Sequence, residues 1–166
     1  MTGLNLRKAE HGDRQAIAEL VEAAFGQPDE ARLVEALVAG GHAVLELVAV
    51  DDSGLVGHVL FSRLVVEAGG APFQAVALAP VGVSPDQQGQ GIGTSLIEEA
   101  HRRLRLAGEA LSVVLGEPAY YGRFGYTHPR GAGFDCAWQG EYLQALAWRG
   151  APESGRLVYA PPFSAL

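Results

Sequence analysis

Cysteine, lysine and methionine occur once each among the 166 residues, as Cys136, Lys8 and Met1. A lone cysteine closes no internal disulfide, and its commonest use is as a small buried apolar side chain. A single lysine, far from any glycine-rich stretch, excludes a Walker phosphate loop, whose G-x-x-x-x-G-K-[ST] pattern needs an ammonium. No run of about 18 apolar residues exists to span a bilayer as a helix. Residues 1–8 lack the apolar core of a signal peptide, so a cytoplasmic location is the expectation, with no membrane partner. Positive charge is scarce too. The formal charge is −7 and the pI about 5.1, and the only basic cluster is Arg102, Arg103 and Arg105. Nucleic-acid binding is therefore not expected. No H-x-x-x-H or C-x-x-C spacing occurs, so no metal is expected either.

What is present is apolar patterning of the globular kind: 48% hydrophobic and 19% charged residues. Such a length predicts a single domain, taken as 1–166. A short strand is expected at 4–8, then a helix capped by Asp13 with Ile17, Leu20, Val21 and Ala24 on one face. A second helix after Pro28 carries Leu33, Val34, Leu37 and Val38 and stops at Gly40-Gly41. Strands at 43–50 and 55–66 flank a hairpin signal, Asp51-Asp52-Ser53-Gly54, and a third strand ends at Val83. Next comes a helix with Ile92, Leu96, Ile97, Ala100 and Leu104 as its apolar stripe. Its i,i+4 pairs are Glu98–Arg102 and Glu99–Arg103, and Gly108 follows its end. Residues 110–115 read as a strand, 120–124 and 141–148 as short helices, 126–138 as partly extended, and 155–159 as a last strand. The pattern predicts an α/β (α+β) fold: a mixed sheet with helices on both faces.

The densest information lies in Val83-Ser84-Pro85-Asp86-Gln87-Gln88-Gly89-Gln90-Gly91-Ile92-Gly93-Thr94. It runs from strand to glycine-rich loop to helix N-terminus. The first amides of a helix have no intrahelical partner, and the aligned peptide dipoles place roughly half a positive charge there. Glycines let an anion approach those amides. The bare alternative is a tight connection. A dinucleotide fingerprint, G-x-G-x-x-G, is excluded because the third glycine comes one residue early.

The spacing Gln88-x-x-Gly91-x-Gly93 after Val83-Ser84-Pro85 resembles the acetyl-CoA loop of the GCN5-related N-acetyltransferases (GNAT). A second patch, Tyr121-Gly122-Arg123-Phe124-Gly125-Tyr126, has the form found downstream in that family. Ala79-Pro80-Val81-Gly82-Val83 and Pro118-Ala119-Tyr120-Tyr121 look like an uncharacterised bacterial subgroup of predicted acetyltransferases. The resemblance runs from about residue 6 to 159. It implies the acyl-CoA N-acyltransferase fold, with a mostly antiparallel central sheet of about seven strands. It also implies transfer of an acetyl group from acetyl-CoA, as donor co-substrate, to a primary amine on a small molecule or protein. Cofactor contacts are then expected from Val81, Gly82, Val83, Gln88, Gly89, Gln90, Gly91, Ile92, Gly93 and Thr94. Tyr121 matches the family's general acid.

Physical chemistry is consistent with these roles. A phenol stays protonated at neutral pH and can hand a proton to a leaving thiolate. Pro80 and Gly82 interrupt what should be a central strand. Either the strand ends early and restarts, or a bulge or splay frees amides for the pantetheine arm and the thioester oxygen. Tyr120 is a weaker candidate acid, and Tyr121 could be only a wall aromatic. No general base stands out among Glu117, His42, His58, His101 and His128; His101 is expected on the polar side of its helix. The acceptor pocket is expected from the first two helices, the 25–29 loop and the C-terminal part. A catalytically silent acyl-CoA-binding sensor is the competing reading, and the chain could be a monomer or a homodimer.

Overall fold

The computed structural model describes residues 3–165, so Met1, Thr2 and Leu166 of the expected 1–166 domain lie outside the described residues. In chain order the elements are β1 (Asn5–Lys8), α1 (Arg14–Phe25), α2 (Asp29–Ala39), β2 (Ala43–Asp51), β3 (Gly54–Glu67) and β4 (Phe73–Val83). They continue with α3 (Ile92–Leu106), β5 (Leu111–Leu115), α4 (Pro118–Tyr121), α5 (His128–Gly131), β6 (Phe134–Asp135), β7 (Leu143–Ala147) and β8 (Gly155–Tyr159). The sheet runs β1-β2-β3-β4-β5-β7, antiparallel except between β4 and β5. β8 lies antiparallel to β3 and carries β6 parallel to it. The sheet is thus mixed and mostly antiparallel, with eight strands where about seven were expected.

β3 organises this layout. It has 14 residues: Gly54–Ser62 pair with β2, and Leu64–Glu67, beyond the reach of β2, pair with β8. The C-terminal strand is therefore brought beside the middle of the sheet. One face packs Leu47, Val59, Phe61 and Val76 against Ile92, Leu96, Ile97 and Ala100 of α3. The other packs Val48 and Leu60 against Ile17 and Val21 of α1 and Leu33, Val34 and Leu37 of α2, with Phe163 closing the end. Alternation along each strand divides its side chains between these layers.

Several expectations change. Within the expected 141–148 helix the chain instead forms β7, Leu143–Ala147. Leu, Gln and Ala are good helix formers, but this segment pairs with β5 from Leu111↔Ala147 to Leu115↔Leu143, and tertiary pairing overrides a weak local preference. Asp13 precedes α1 without capping it. Its carboxylate instead accepts from both Nη atoms of Arg7, at 2.7 and 3.0 Å, and from Glu10 N–H. On α3, Glu99 takes both arginines, Arg102 at 2.6 Å and Arg103 at 2.7 Å, and Glu98 forms no ion pair with Arg102. His101 is buried rather than on a polar side. It is ringed by Phe61, Phe124, Tyr126 and Trp148, and Nε2 lies 3.0 Å from the Tyr126 hydroxyl. The apolar contact surface of α3 is wider than its stripe, because residues after β5 fold over it as well.

Candidate active site

Pro80 marks a bulge, and β4 runs through it unbroken. Val59 pairs with Val81 and Phe61 with Leu78, so Ala79 and Pro80 together oppose Leu60 alone. Proline's missing N–H falls where the ladder does not use it. On its other side β4 pairs with β5 only from Val76↔Ser112 to Leu78↔Val114. Residues 79–83 therefore have no partner in β5, and the two parallel strands part there.

The glycine loop begins where β4 ends. Ser84 N–H donates to Val56 O, and a 3-10 turn, Pro85–Gln87, redirects the chain. Gly91 stands immediately before α3 with φ +83°, a left-handed conformation that side chains disfavour. Gly93 leaves room of a different kind: a Cβ there would lie 2.8 Å from the Tyr120 hydroxyl, so that side chain would have to shift. Ser95 N–H makes the first bond of the helix, to Gly91 O, so the N–H groups of Ile92, Gly93 and Thr94 precede the ladder.

Between this loop and the short α4 segment lies a cleft of about 540 Å³. Of the residues expected to contact a cofactor, Val81, Val83, Gln88, Gly89, Gly91, Ile92, Gly93 and Thr94 line it. Gly82 and Gln90 do not; Gly82 is turned to α1, where a Cβ would meet Ala24 and Phe25 at 3.4 and 3.5 Å. The Gln88 side chain folds back, its Nε2 donating to Val83 O at 3.1 Å, which ties the loop to the strand end. Tyr120, Tyr121 and Arg123 complete the wall. Arg123 was not anticipated. Its Nη2 donates to Thr94 Oγ1 at 2.7 Å, and the guanidinium lies over the Tyr120 ring, 5.2 Å from its centroid. No local pattern marks this arginine, since the contact joins residues 29 apart in sequence.

A second cleft, of about 390 Å³, opens on the other side of Tyr121. Phe25 and Glu30 contribute from the α1–α2 region, Leu78 to Val81 from β4, and Trp138, Tyr159 and Phe163 from the C-terminal part. Only Val81 and Tyr121 line both clefts. Burial pushes the Tyr121 hydroxyl up to about 12, so it is protonated throughout the neutral range, and no hydrogen bond to a described residue engages it. Its ring stands edge-on to Tyr120 and Tyr126, with centroids 5.0 and 6.1 Å away. Gly116 makes room for it, since a Cβ there would collide with Cε2 of Tyr121. Tyr120 lines only the first cleft.

None of Glu117, His42, His58, His101 and His128 lines either cleft. Burial raises the Cys136 thiol, which disfavours the nucleophilic thiolate. Among the described residues no three His, Cys, Asp or Glu side chains gather as a metal site needs, and no helix is long and apolar enough to cross a membrane.

This arrangement has counterparts. The family model described as the acetyltransferase (GNAT) domain matches residues 5–128. The chain belongs to the GNAT acetyltransferases. Escherichia coli YhbS, called an uncharacterised N-acetyltransferase, is 37% identical over 129 residues, covering 77% of this chain and 76% of YhbS. The YhbS crystal structure in complex with CoA superimposes with a TM-score of 0.89 at 31% identity, over 99% of this chain and 93% of that one. A GNAT acetyltransferase from Brucella melitensis, crystallised with acetyl-CoA, gives a TM-score of 0.83 at 34% identity, over 97% and 98% of the two chains. The GNAT fold, expected from the glycine loop, is the fold observed.

Proposed function

We propose that the chain transfers the acetyl group of acetyl-CoA directly to a primary amine, with the thioester held at the junction of the two clefts. The observation that carries this reading is the position of Tyr121, a protonated and otherwise unengaged phenol between two cavities that meet nowhere else except at Val81. The first cleft takes the donor: free N–H groups of residues 92–94 hold the diphosphate, and the parted edge of β4 at 81–83 runs along the pantetheine arm. Arg123, beside Thr94, adds the one cationic side chain of that cleft. The acetyl-CoA and CoA complexes of the two structural relatives support this assignment.

A neutral amine from the second cleft attacks the thioester carbonyl, forming the C–N bond as charge develops on the carbonyl oxygen. A backbone N–H at the unpaired β4 edge stabilises that oxyanion, a contribution of about 3 kcal/mol for one donor. Collapse breaks the C–S bond. Tyr121 gives its proton to the departing sulfur and recovers one from solvent, while the amine nitrogen loses its extra proton through water; the one carboxylate on either wall is Glu30, in the second cleft. Calorimetry with acetyl-CoA and with ATP, then a thiol-release assay across amines, tests the reading. Binding of acetyl-CoA in preference to ATP, with amine-dependent release of CoA thiol, is expected. Binding with no turnover of any amine would replace the enzyme by a sensor.

A further inference from the structure

The second cleft is selective in its own composition. Its wall is apolar and aromatic, built from Phe25, Leu33, Leu115, Trp138, Tyr159 and Phe163 among others, and Glu30 is its single charged side chain. Glu30 is half-buried and has no cationic partner among the described residues; only the Gln27 amide donates to it, at 3.1 and 3.3 Å. Trp138, Tyr159 and Phe163 form a series of edge-to-face rings with centroids 5.0 and 5.3 Å apart. Phe25 and Trp138 nonetheless remain 39% and 37% exposed, leaving aromatic surface uncovered at the cleft.

Resting on the acetyltransferase reading, we propose that the acceptor is a small primary amine carried on a flat apolar body, of the arylalkylamine kind. Glu30 supplies the one negative charge that draws in the ammonium form, and the rings of Trp138 and Tyr159 receive the body. The alternatives fit poorly. A polyamine needs carboxylates at several points along its length, and one is present. An amino sugar would bury hydroxyls against walls that offer few partners. An acidic or phosphorylated amine meets no cation here and is repelled by Glu30. A cavity of about 390 Å³ is at the small end for ligand pockets, which suits one ring and a short arm.

The test measures CoA-thiol release from acetyl-CoA with 2-phenylethylamine, tryptamine, spermidine, glucosamine and a lysine-containing peptide. The aryl amines should exceed the other three in kcat/KM by about tenfold or more. Trp138→Ala, at a partly exposed position, should lower kcat/KM for the aryl amines by about three- to tenfold, the worth of an aromatic contact. Glu30→Gln should raise their KM by about tenfold, as for loss of a charge-assisted pair, with kcat within about twofold. Neither variant should change the acetyl-CoA dissociation constant. Preference for spermidine, glucosamine or the peptide, or aryl-amine KM values indifferent to both substitutions, overturns the proposal. Failure to turn over any amine while acetyl-CoA binds also overturns it and leaves the first cleft's role standing. Failure to bind acetyl-CoA overturns the reading beneath it.

Discussion

Under the proposed mechanism two residues govern the chemistry at the smallest scale: Tyr121 by what it carries and Gly116 by what it omits. Tyr121→Phe removes the proton while keeping the ring against Tyr120 and Tyr126. Loss of a general acid costs about 100-fold or more, so kcat should fall by that order with the acetyl-CoA dissociation constant unchanged. Steady-state kinetics beside calorimetry checks both halves, and unchanged turnover would make Tyr121 a wall residue. Gly116→Ala acts on the same phenol indirectly, because the added methyl collides with its Cε2 and the ring must move. A displacement of about 1 Å can cost up to roughly 100-fold in rate. We expect kcat to drop at least tenfold in Gly116→Ala, with acetyl-CoA affinity near that of the parent and Tm lower by a few degrees, as overpacking of about 1 kcal/mol does. The sequence displayed Tyr121 and the loop glycines but hid Gly116. A glycine demanded by backbone geometry, such as Gly91, sits in a recognisable local pattern. A glycine demanded by a ring five residues on does so only once the fold is known.

At the scale of elements, legibility followed the range of the forces involved. Helices α1, α2 and α3 were readable from their stripes, and β2 with β3 from their hairpin signal, because each pattern is local. β7 was not. Leu143–Ala147 has helix-forming residues, and only its partner β5 makes it a strand. The Pro80 interruption could be read two ways in sequence, and pairing on both sides of β4 decides for a bulge with a splay. The surface of α3 makes a comparable point about charge. Spacing alone offered two carboxylate–arginine pairs, yet Glu99 collects both arginines, whose guanidinium bonds hold its carboxyl down at about 2. Glu99→Gln should therefore lower Tm by about 1–3 °C in low salt, less in high salt, and Glu98→Gln should leave it unchanged. Equal effects in a melting experiment would contradict the pairing.

The molecule as a whole should respond to acid through its interior. Burial holds His101 down at about 4, well under its ordinary value of 6.5. A depressed value means that the unfolded chain binds the proton more readily. The neutral ring's contribution is complete above about pH 6.5 and is lost as pH falls towards 4. The linked loss over that window is about 3 kcal/mol for one group. Below it, Asp13, held at about 2 chiefly by its hydrogen bonds from Arg7, adds a second loss as pH drops under the usual carboxylate range. Urea denaturation from pH 7 to 3 should show the first limb, and His101→Leu should flatten it between 6.5 and 4. The variant keeps the Tyr126 hydroxyl satisfied, since Ser112 Oγ lies 2.7 Å from it. A slope identical to the parent's would show that His101 is not the responsible group.

The length of β3 has one more implication. By reaching past β2 it recruits β8, and with it Tyr159 and the neighbouring Trp138, from a stretch that begins after the family model has ended at residue 128. The glycine-loop cleft is thus built wholly inside the matched stretch, whereas the wall of the second cleft is shared between that stretch, through Phe25 and Glu30 among others, and the segment after it. On the proposed reading, changes in that later segment alter the acceptor wall without touching any residue that lines the donor cleft.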